Sequence, residues 1–237
     1  MAQSMSGAAR WAFLLGVGGA AAFVLGPSLA HFGVLPAMIG FVVFGAGGLL
    51  GLTALALGIV AAARGGVGSA AGGLVLGGFV SIVFLALAVP AMIILSMSDV
   101  TTDTANAPEF LRAPTLAGNQ GRNMRYPGAA FADRQRAAYP DIAPLHLGVP
   151  LDEAFLRAVA AATKQMPDWE VTRIDQIPHQ FEAVATSSIF RFQDDLIVEL
   201  RPEGDGSLVQ MRSKSRHGMA DLGANATRIK AFFGKLQ

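Results

Sequence analysis

Between residues 1 and 98 the chain has no Asp, no Glu and no Lys, and only two Arg, Arg10 and Arg64. All 17 acids and the other 16 of the 18 Lys and Arg lie from Asp99 onward. A soluble domain has no need of so long an uncharged stretch, whereas a bilayer requires one, because a charge at mid-membrane costs several kcal/mol. The chain also contains no Cys, which excludes disulfides, thiolate metal sites and thiol nucleophiles. The four histidines (His31, His146, His179 and His217) are scattered without metal-ligand spacing. No nucleophile elbow, phosphate loop or zinc motif is present, and no nucleophile–base constellation can be assembled, which reads against an enzyme. No cofactor is expected. From Asp99 onward 16 bases face 17 acids, a balance that speaks against nucleic acid.

What the leading part does contain is apolar. About 20 residues of helix cross the hydrocarbon of a bilayer, and three runs suffice: Trp11 to about Ala30, Ala37 to Ala63, and about Ala70 to Met97. The second run exceeds one span, so tilt is expected. Pro90 lies late in the third, where a kink is tolerable. Arg10, the apolar run to Leu25 and Ser28-Leu29-Ala30 also satisfy a secretory signal with a cleavage site. Two further spans follow at once, however, which favours a retained helix. Arg10 precedes the first run and Arg64 separates the second from the third. Because Lys and Arg gather on the cytoplasmic side, an inside amino terminus and an outside region after Met97 are expected, which in a Gram-negative cell is the periplasm.

Glycine pairs at four-residue spacing recur in these runs: Gly47 with Gly51, Gly68 with Gly72, and Gly73 with Gly77. They allow close backbone approach, either within one three-helix bundle or against helices of another membrane protein. Gly66-Val-Gly68-Ser-Ala-Ala-Gly72 imitates a dinucleotide fingerprint but follows a membrane run rather than a strand. With no ionisable group at mid-span, the region reads as an anchor, not a transporter.

Residues 99–140 carry Pro108, Pro114, Pro127 and Pro140 among Gly118, Gly121 and Gly128, with no sustained period. They read as an irregular linker that is either loose or wrapped on a domain surface. Its Arg122, Arg125, Arg134 and Arg136 form either a solvated face or a contact with anionic headgroups. Residues 141–237 read as a globular domain. Leu145–Val149 is a strand candidate, and Pro150-Leu151-Asp152 opens a helix whose apolar face is Phe155, Val159, Ala162 and Met166. Strand candidates follow at Trp169–Asp175, Phe181–Ser187, Ile189–Glu199 (interrupted near Gln193-Asp194-Asp195) and Leu208–Ser215, with a hairpin signal at Glu203-Gly204-Asp205-Gly206. A last helix from Asp221 presents Leu222, Ala226, Ile229, Phe233 and Leu236. The fold class expected is therefore a three-helix transmembrane anchor plus an α+β domain, an antiparallel sheet with two helices packed on one face.

Arg212-Ser213-Lys214-Ser215-Arg216 is the most unusual local chemistry. Alternation along a strand places Val209, Met211, Ser213 and Ser215 toward the helices, and Arg212, Lys214 and Arg216 on the other face. Three cations on one strand face repel unless carboxylates or an anion answer them. Asp194, Asp195 and Asp221 are the obvious answers, though Asp194 and Asp195, being adjacent, point to opposite faces. Asp221, Asn225 and Arg228 form a polar stripe on the last helix. Two readings stand: a structural polar network through Asp194, Asp195 and Asp221, or an anion site in which Arg212, Ser213, Ser215, Arg216, Asn225 and Arg228 hold a lipid headgroup or small acid.

Three stretches carry a resemblance. Phe190-Arg-Phe-Gln-Asp194-Asp195, Arg212-Ser-x-Ser-Arg216-x-Gly218 and Asp221-Leu-Gly223-x-Asn225-Ala-x-Arg228-Ile229 resemble the signature of an uncharacterised family, domain of unknown function 1499. Tyr139-Pro140-Asp141-Ile142 and Val100-Thr101-Thr102-Asp103 also resemble segments of its members, while His217 stands where small or apolar residues are more usual. The resemblance covers about residue 99 to the end. It implies amino-terminal membrane helices in many members and brings no catalytic residues. The reading that results is a non-enzymatic inner-membrane protein presenting a periplasmic interaction module, an accessory or structural component whose partners are the bilayer and other membrane or envelope proteins. The alternative is a periplasmic module binding an anionic headgroup or small acid.

Overall fold

The structure, a computed structural model, describes residues 6–93, 97–217 and 222–237. The chain divides into two compact units, residues 1–93 with 188–191, and residues 94–187 with 192–237.

The first unit holds three helices, α1 (Gly7–His31), α2 (Ala37–Ala63) and α3 (Val67–Ile93). Each is long and apolar enough to cross a membrane. The Ser6 hydroxyl caps α1 by accepting the Ala9 amide at 3.3 Å. The Gly65 turn between α2 and α3 uses a φ of 85° that glycine adopts freely. The packing inverts that of a water-soluble bundle. Glycine and alanine fill the inside, and Trp11, Val24, Leu49, Val75, Phe79 and Ile82 are exposed. A Cβ at Gly47 would fall 2.5 Å from the Phe23 nitrogen, and one at Gly77 would fall 2.6 Å from the Leu55 nitrogen. Helix backbones touch at these positions, so Gly47, Gly51, Gly72, Gly73 and Gly77 serve packing among the three helices themselves. Gly68 has nothing within 4 Å of its Cβ position.

The second unit is built on a six-stranded antiparallel sheet of order β1-β6-β5-β4-β3, with β2 also paired to β6. The strands are β1 (Asp99–Thr101), β2 (Leu145–Leu147), β3 (Trp169–Asp175), β4 (Gln180–Thr186), β5 (Gln193–Glu203) and β6 (Gly206–Ser215). Helices α5 (Leu151–Lys164) and α6 (Ala224–Phe233) supply the core on one face with Phe155, Ala158, Ala162, Ile229 and Phe232. These share that core with Phe181, Leu196, Val198 and Met211 of the strands. Trp169 lies against Phe232 with ring centroids 5.0 Å apart.

Three details differ from the sequence reading. Gln193-Asp194-Asp195 is the start of β5 rather than an interruption, because Asp194 and Asp195 pair in register with Ser215 and Lys214. Leu222 lies outside α6, exposed and left-handed at a φ of 57°, and Phe232 rather than Phe233 is the fully buried ring of that helix. The proposed helix start at Asp221, like Gly218 of the motif, lies outside the described residues.

Residues 99–140, expected to be either loose or wrapped on a domain surface, take the wrapped form and carry regular elements of their own. This stretch wraps the sheet and contributes β1, two 3-10 turns (Ala113–Thr115 and Ala117–Asn119) and the helix α4 (Ala129–Ala138). Its attachments are polar. The buried Gln135 amide accepts the Thr101 N–H at 3.0 Å and donates to the Thr101 carbonyl at 2.7 Å, completing the outer edge of β1 as another strand would. Such anchoring leaves no hydrophobic period to read.

Candidate functional site

The alternation of β6 sorts its charged end into two polar layers, one on each side of the sheet. On the face covered by residues 99–126, Asp99 of β1 stands in register with Lys214. It accepts Arg212 Nε and Nη2 and Lys214 Nζ, all at 2.8 Å. Arg212 is one of the largest fully buried side chains. It also donates to the Pro108 carbonyl at 3.0 Å and the Met124 carbonyl at 2.9 Å. Its guanidinium carbon lies 4.9 Å from the Phe110 ring centroid and 5.6 Å from that of Tyr126. A buried charge is tolerable only when matched and hydrogen-bonded in this way. Burial, and then the Asp99 carboxylate, push the Tyr126 hydroxyl up to about 12.

Two further carboxylates fasten the same covering segment. Glu182, in the middle of β4 and buried, accepts the Leu111 and Arg112 amides through Oε1 and the Ala113 amide through Oε2, each at 2.7 Å. It thereby satisfies the free N–H groups that open the first 3-10 turn. Asp195 receives Arg216 Nε at 3.0 Å, Arg216 Nη2 at 2.6 Å and Asn119 Nδ2 at 2.8 Å. Arg122 binds Asn119 Oδ1 and the Ser215 carbonyl.

On the helix face, Asn225 of α6 is the hub. It accepts the Ser213 hydroxyl, and its Nδ2 donates to Ser215 Oγ at 3.0 Å and the Met97 carbonyl at 3.2 Å. Arg228 reaches Ser213 Oγ at 3.1 Å and Asn225 Oδ1 at 3.2 Å, and closes on Asp194 at 2.7 Å.

The structure thus brings together Ser213, Ser215, Asn225, Arg228 and Asp194 on one face, and Arg212, Lys214, Arg216 and Asp195 on the other. Asp194 and Asp195 do sit on opposite faces. Arg216 and Arg228 pair with Asp195 and Asp194. Arg212 and Lys214 are answered by Asp99 instead, at the head of the presumed linker. Asp221 lies outside the described residues. Sequence reasoning missed Asp99, Glu182, Asn119 and Gln135. Only Asp99 carried a signal, since it immediately precedes the Val100–Asp103 stretch that resembles the family.

These groups hold one another. Each guanidinium that an anion would need already carries a carboxylate, and each serine hydroxyl already has a partner. Among the described residues no group of three His, Asp or Glu side chains is placed to hold a metal ion. The chemistry available is positional: two charged layers that lock a coil, a sheet and a helix together.

No curated protein and no solved structure matches the chain. One family model does, described as a protein of unknown function and matching residues 99–236. That span begins at the carboxylate that pairs with Arg212 and runs through α6, so it takes in both polar layers. The chain therefore belongs to the DUF1499 family.

Proposed function

We propose that this protein is an integral inner-membrane protein whose three helices anchor the DUF1499 domain on the periplasmic side, where it acts as a non-enzymatic accessory module contacting other membrane or envelope proteins. The observation that carries the reading is the inverted surface of the helical unit. Glycine packs inside while large apolar side chains such as Val75, Phe79 and Ile82 face outward, the arrangement lipid rewards and water penalises. Arg10 in the first turns of α1 and Arg64 just after α2 mark the same end of an up-down hairpin, which supports an inside amino terminus.

A role in contact rather than catalysis is supported by the use the domain makes of its ionisable groups. The charged side chains that sequence marks as unusual are buried and committed to one another, so they stabilise a shape for display. The anion-site reading would require Arg212, Ser213, Ser215, Arg216, Asn225 and Arg228 to release partners they already hold. The experiment is crosslinking in intact cells followed by purification in mild detergent. Recovery of a defined membrane or envelope protein is expected, and a chain that consistently elutes alone as a monomer contradicts the assembly role.

A further inference from the structure

We propose that the loop Ser188–Arg191, between β4 and β5, is a lipid-contacting element, with Ile189 among acyl chains at the membrane interface and Arg191 against phospholipid phosphate. The inference rests on the membrane reading of the three helices and adds a second kind of bilayer contact to it.

The two ends of β5 carry opposite chemistry. Beyond its last residue the hairpin tip is Gly204-Asp205, closed by the pairing of Glu203 with Gly206, a turn composed for water. Before its first residue, the Phe192 amide donates to Ser187 Oγ at 2.9 Å and the Ser187 amide to the Phe192 carbonyl at 2.8 Å. The tip closed by these bonds is Ser188-Ile189-Phe190-Arg191. Two large apolar side chains on so short a tip are a liability in water and an asset in lipid.

This tip folds with the helical unit. His31 Nδ1 donates to the Ser188 carbonyl at 2.7 Å. The Phe190 ring centroid lies 5.3 Å from that of Phe41 and 5.6 Å from that of Phe44. These are the fifth and eighth residues of α2, about 6 and 10 Å along its axis. A helix of 27 residues is about 40 Å long. Against roughly 30 Å of hydrocarbon, about 5 Å extends beyond at each end. Phe190 therefore meets α2 at or just inside the hydrocarbon boundary.

Its neighbours suit that depth. Ile189 is 58% exposed and, with Pro27, Ser28, His31 and Phe32, borders a cleft of about 200 Å³ against the end of α1. Phe32, itself 77% exposed, joins the cleft to the apolar surface of the helices, which is what lipid covers. Arg191 is exposed and, unlike Arg212, Arg216 and Arg228, has no carboxylate within ion-pair distance among the described residues. A guanidinium beside apolar side chains at headgroup depth is matched by phosphate.

The test uses single spin-labelled cysteines in the full chain, which has no Cys of its own, reconstituted in phosphatidylglycerol–phosphatidylcholine vesicles. Collisions with oxygen report lipid, and collisions with a water-soluble nickel chelate report water. Labels are placed at Ile189, at Val75 on the outside of α3, and at Asp205, about 35 Å away along β5. Oxygen should dominate at 75 and 189 and the chelate at 205, with the oxygen-to-chelate ratio at 189 about fivefold or more above that at 205. Arg191→Asn should lower the ratio at 189 about twofold or more. Asn suits the left-handed backbone that Arg191 holds at a φ of 63°, so the change removes charge without adding strain. Water access at 189 with lipid at 75 overturns this proposal alone, whereas water access at both overturns the membrane reading as well. An unchanged ratio in R191N overturns the phosphate contact.

Discussion

Asp99 and Arg212 meet through two parallel hydrogen bonds of 2.8 Å while each side chain is only 1% exposed. The pair joins the first residue of the family domain to its last strand. Among the described residues Asp99 is the carboxylate that Arg212 meets, and its remaining bonds go to carbonyls of the covering coil. Deleting the acid leaves two cations, Arg212 and Lys214, buried without a counter-charge. Asp99→Ala should cost about 3–5 kcal/mol, whereas Asp99→Ala with Arg212→Met should cost less than the sum of the single changes. Denaturant unfolding of the three variants checks both statements.

Glu182 fastens the covering segment from the sheet side by accepting three consecutive backbone amides. Glu182→Gln turns an amide donor toward N–H groups that need an acceptor. Hydrogen exchange at Leu111, Arg112 and Ala113 should therefore accelerate about tenfold or more, while exchange in the β4–β5 ladder changes far less.

Asn225 links α6 to Ser213, Ser215 and the Met97 carbonyl. Asn225→Ala should destabilise the domain by about 1–3 kcal/mol, because the buried Ser213 hydroxyl loses its acceptor and Ser215 Oγ and the Met97 carbonyl lose a donor. Thermal unfolding followed by circular dichroism reads the loss.

How much of this was legible in the residues follows from the kind of contact involved. Strands β3, β4 and β6 and helix α5 carry hydrophobic alternation or helical spacing, and they stand where that pattern puts them. The face assignment of Arg212 and Lys214 was equally readable, because strand alternation is geometric. The role of residues 99–126 was not, since its anchors are Glu182, Asp195, Asn119 and Gln135, single polar side chains whose partners lie roughly 30 to 90 residues away in sequence, backbone groups for Glu182 and Gln135 and each other for Asp195 and Asn119. A carboxylate that binds three amides leaves no spacing rule to detect. The partner of Arg212 was mistaken for the same reason: Asp194, Asp195 and Asp221 are near in sequence, and Asp99 is near only after β1 adds to β6.

In the helical unit, Gly47→Leu should disrupt the contact between α1 and α2, since even a Cβ there falls 2.5 Å from the Phe23 nitrogen. Gly68→Leu, with open space at its Cβ, should be tolerated. Thermal stability in detergent micelles distinguishes the two.

Asp103 gives the domain a pH dependence of determined sign. Burial works against its charged form, but the N–H groups of Asn106 and Ala105 and the Gln210 amide outweigh it and hold the acid below its ordinary value of 3.8. A depressed acid stabilises the fold fully above the unfolded value, and that contribution disappears as pH falls through the folded value. The stability difference between the native chain and Asp103→Asn should therefore shrink on acidification from about pH 5 to about pH 3, as denaturant midpoints would show.

The central claim, an anchored domain on the far side of the membrane from Arg10 and Arg64, is tested most directly by cysteine labelling, for which a chain without Cys is an ideal background. Cysteine is introduced singly at Ile177, 89% exposed in the β3–β4 turn, and at Arg64 in the α2–α3 turn. Intact spheroplasts are then treated with a membrane-impermeant maleimide. Labelling of Ile177→Cys in intact spheroplasts, with Arg64→Cys reacting only after lysis, is the predicted result. The reverse pattern, or recovery of the unlabelled chain in the soluble fraction, contradicts the account.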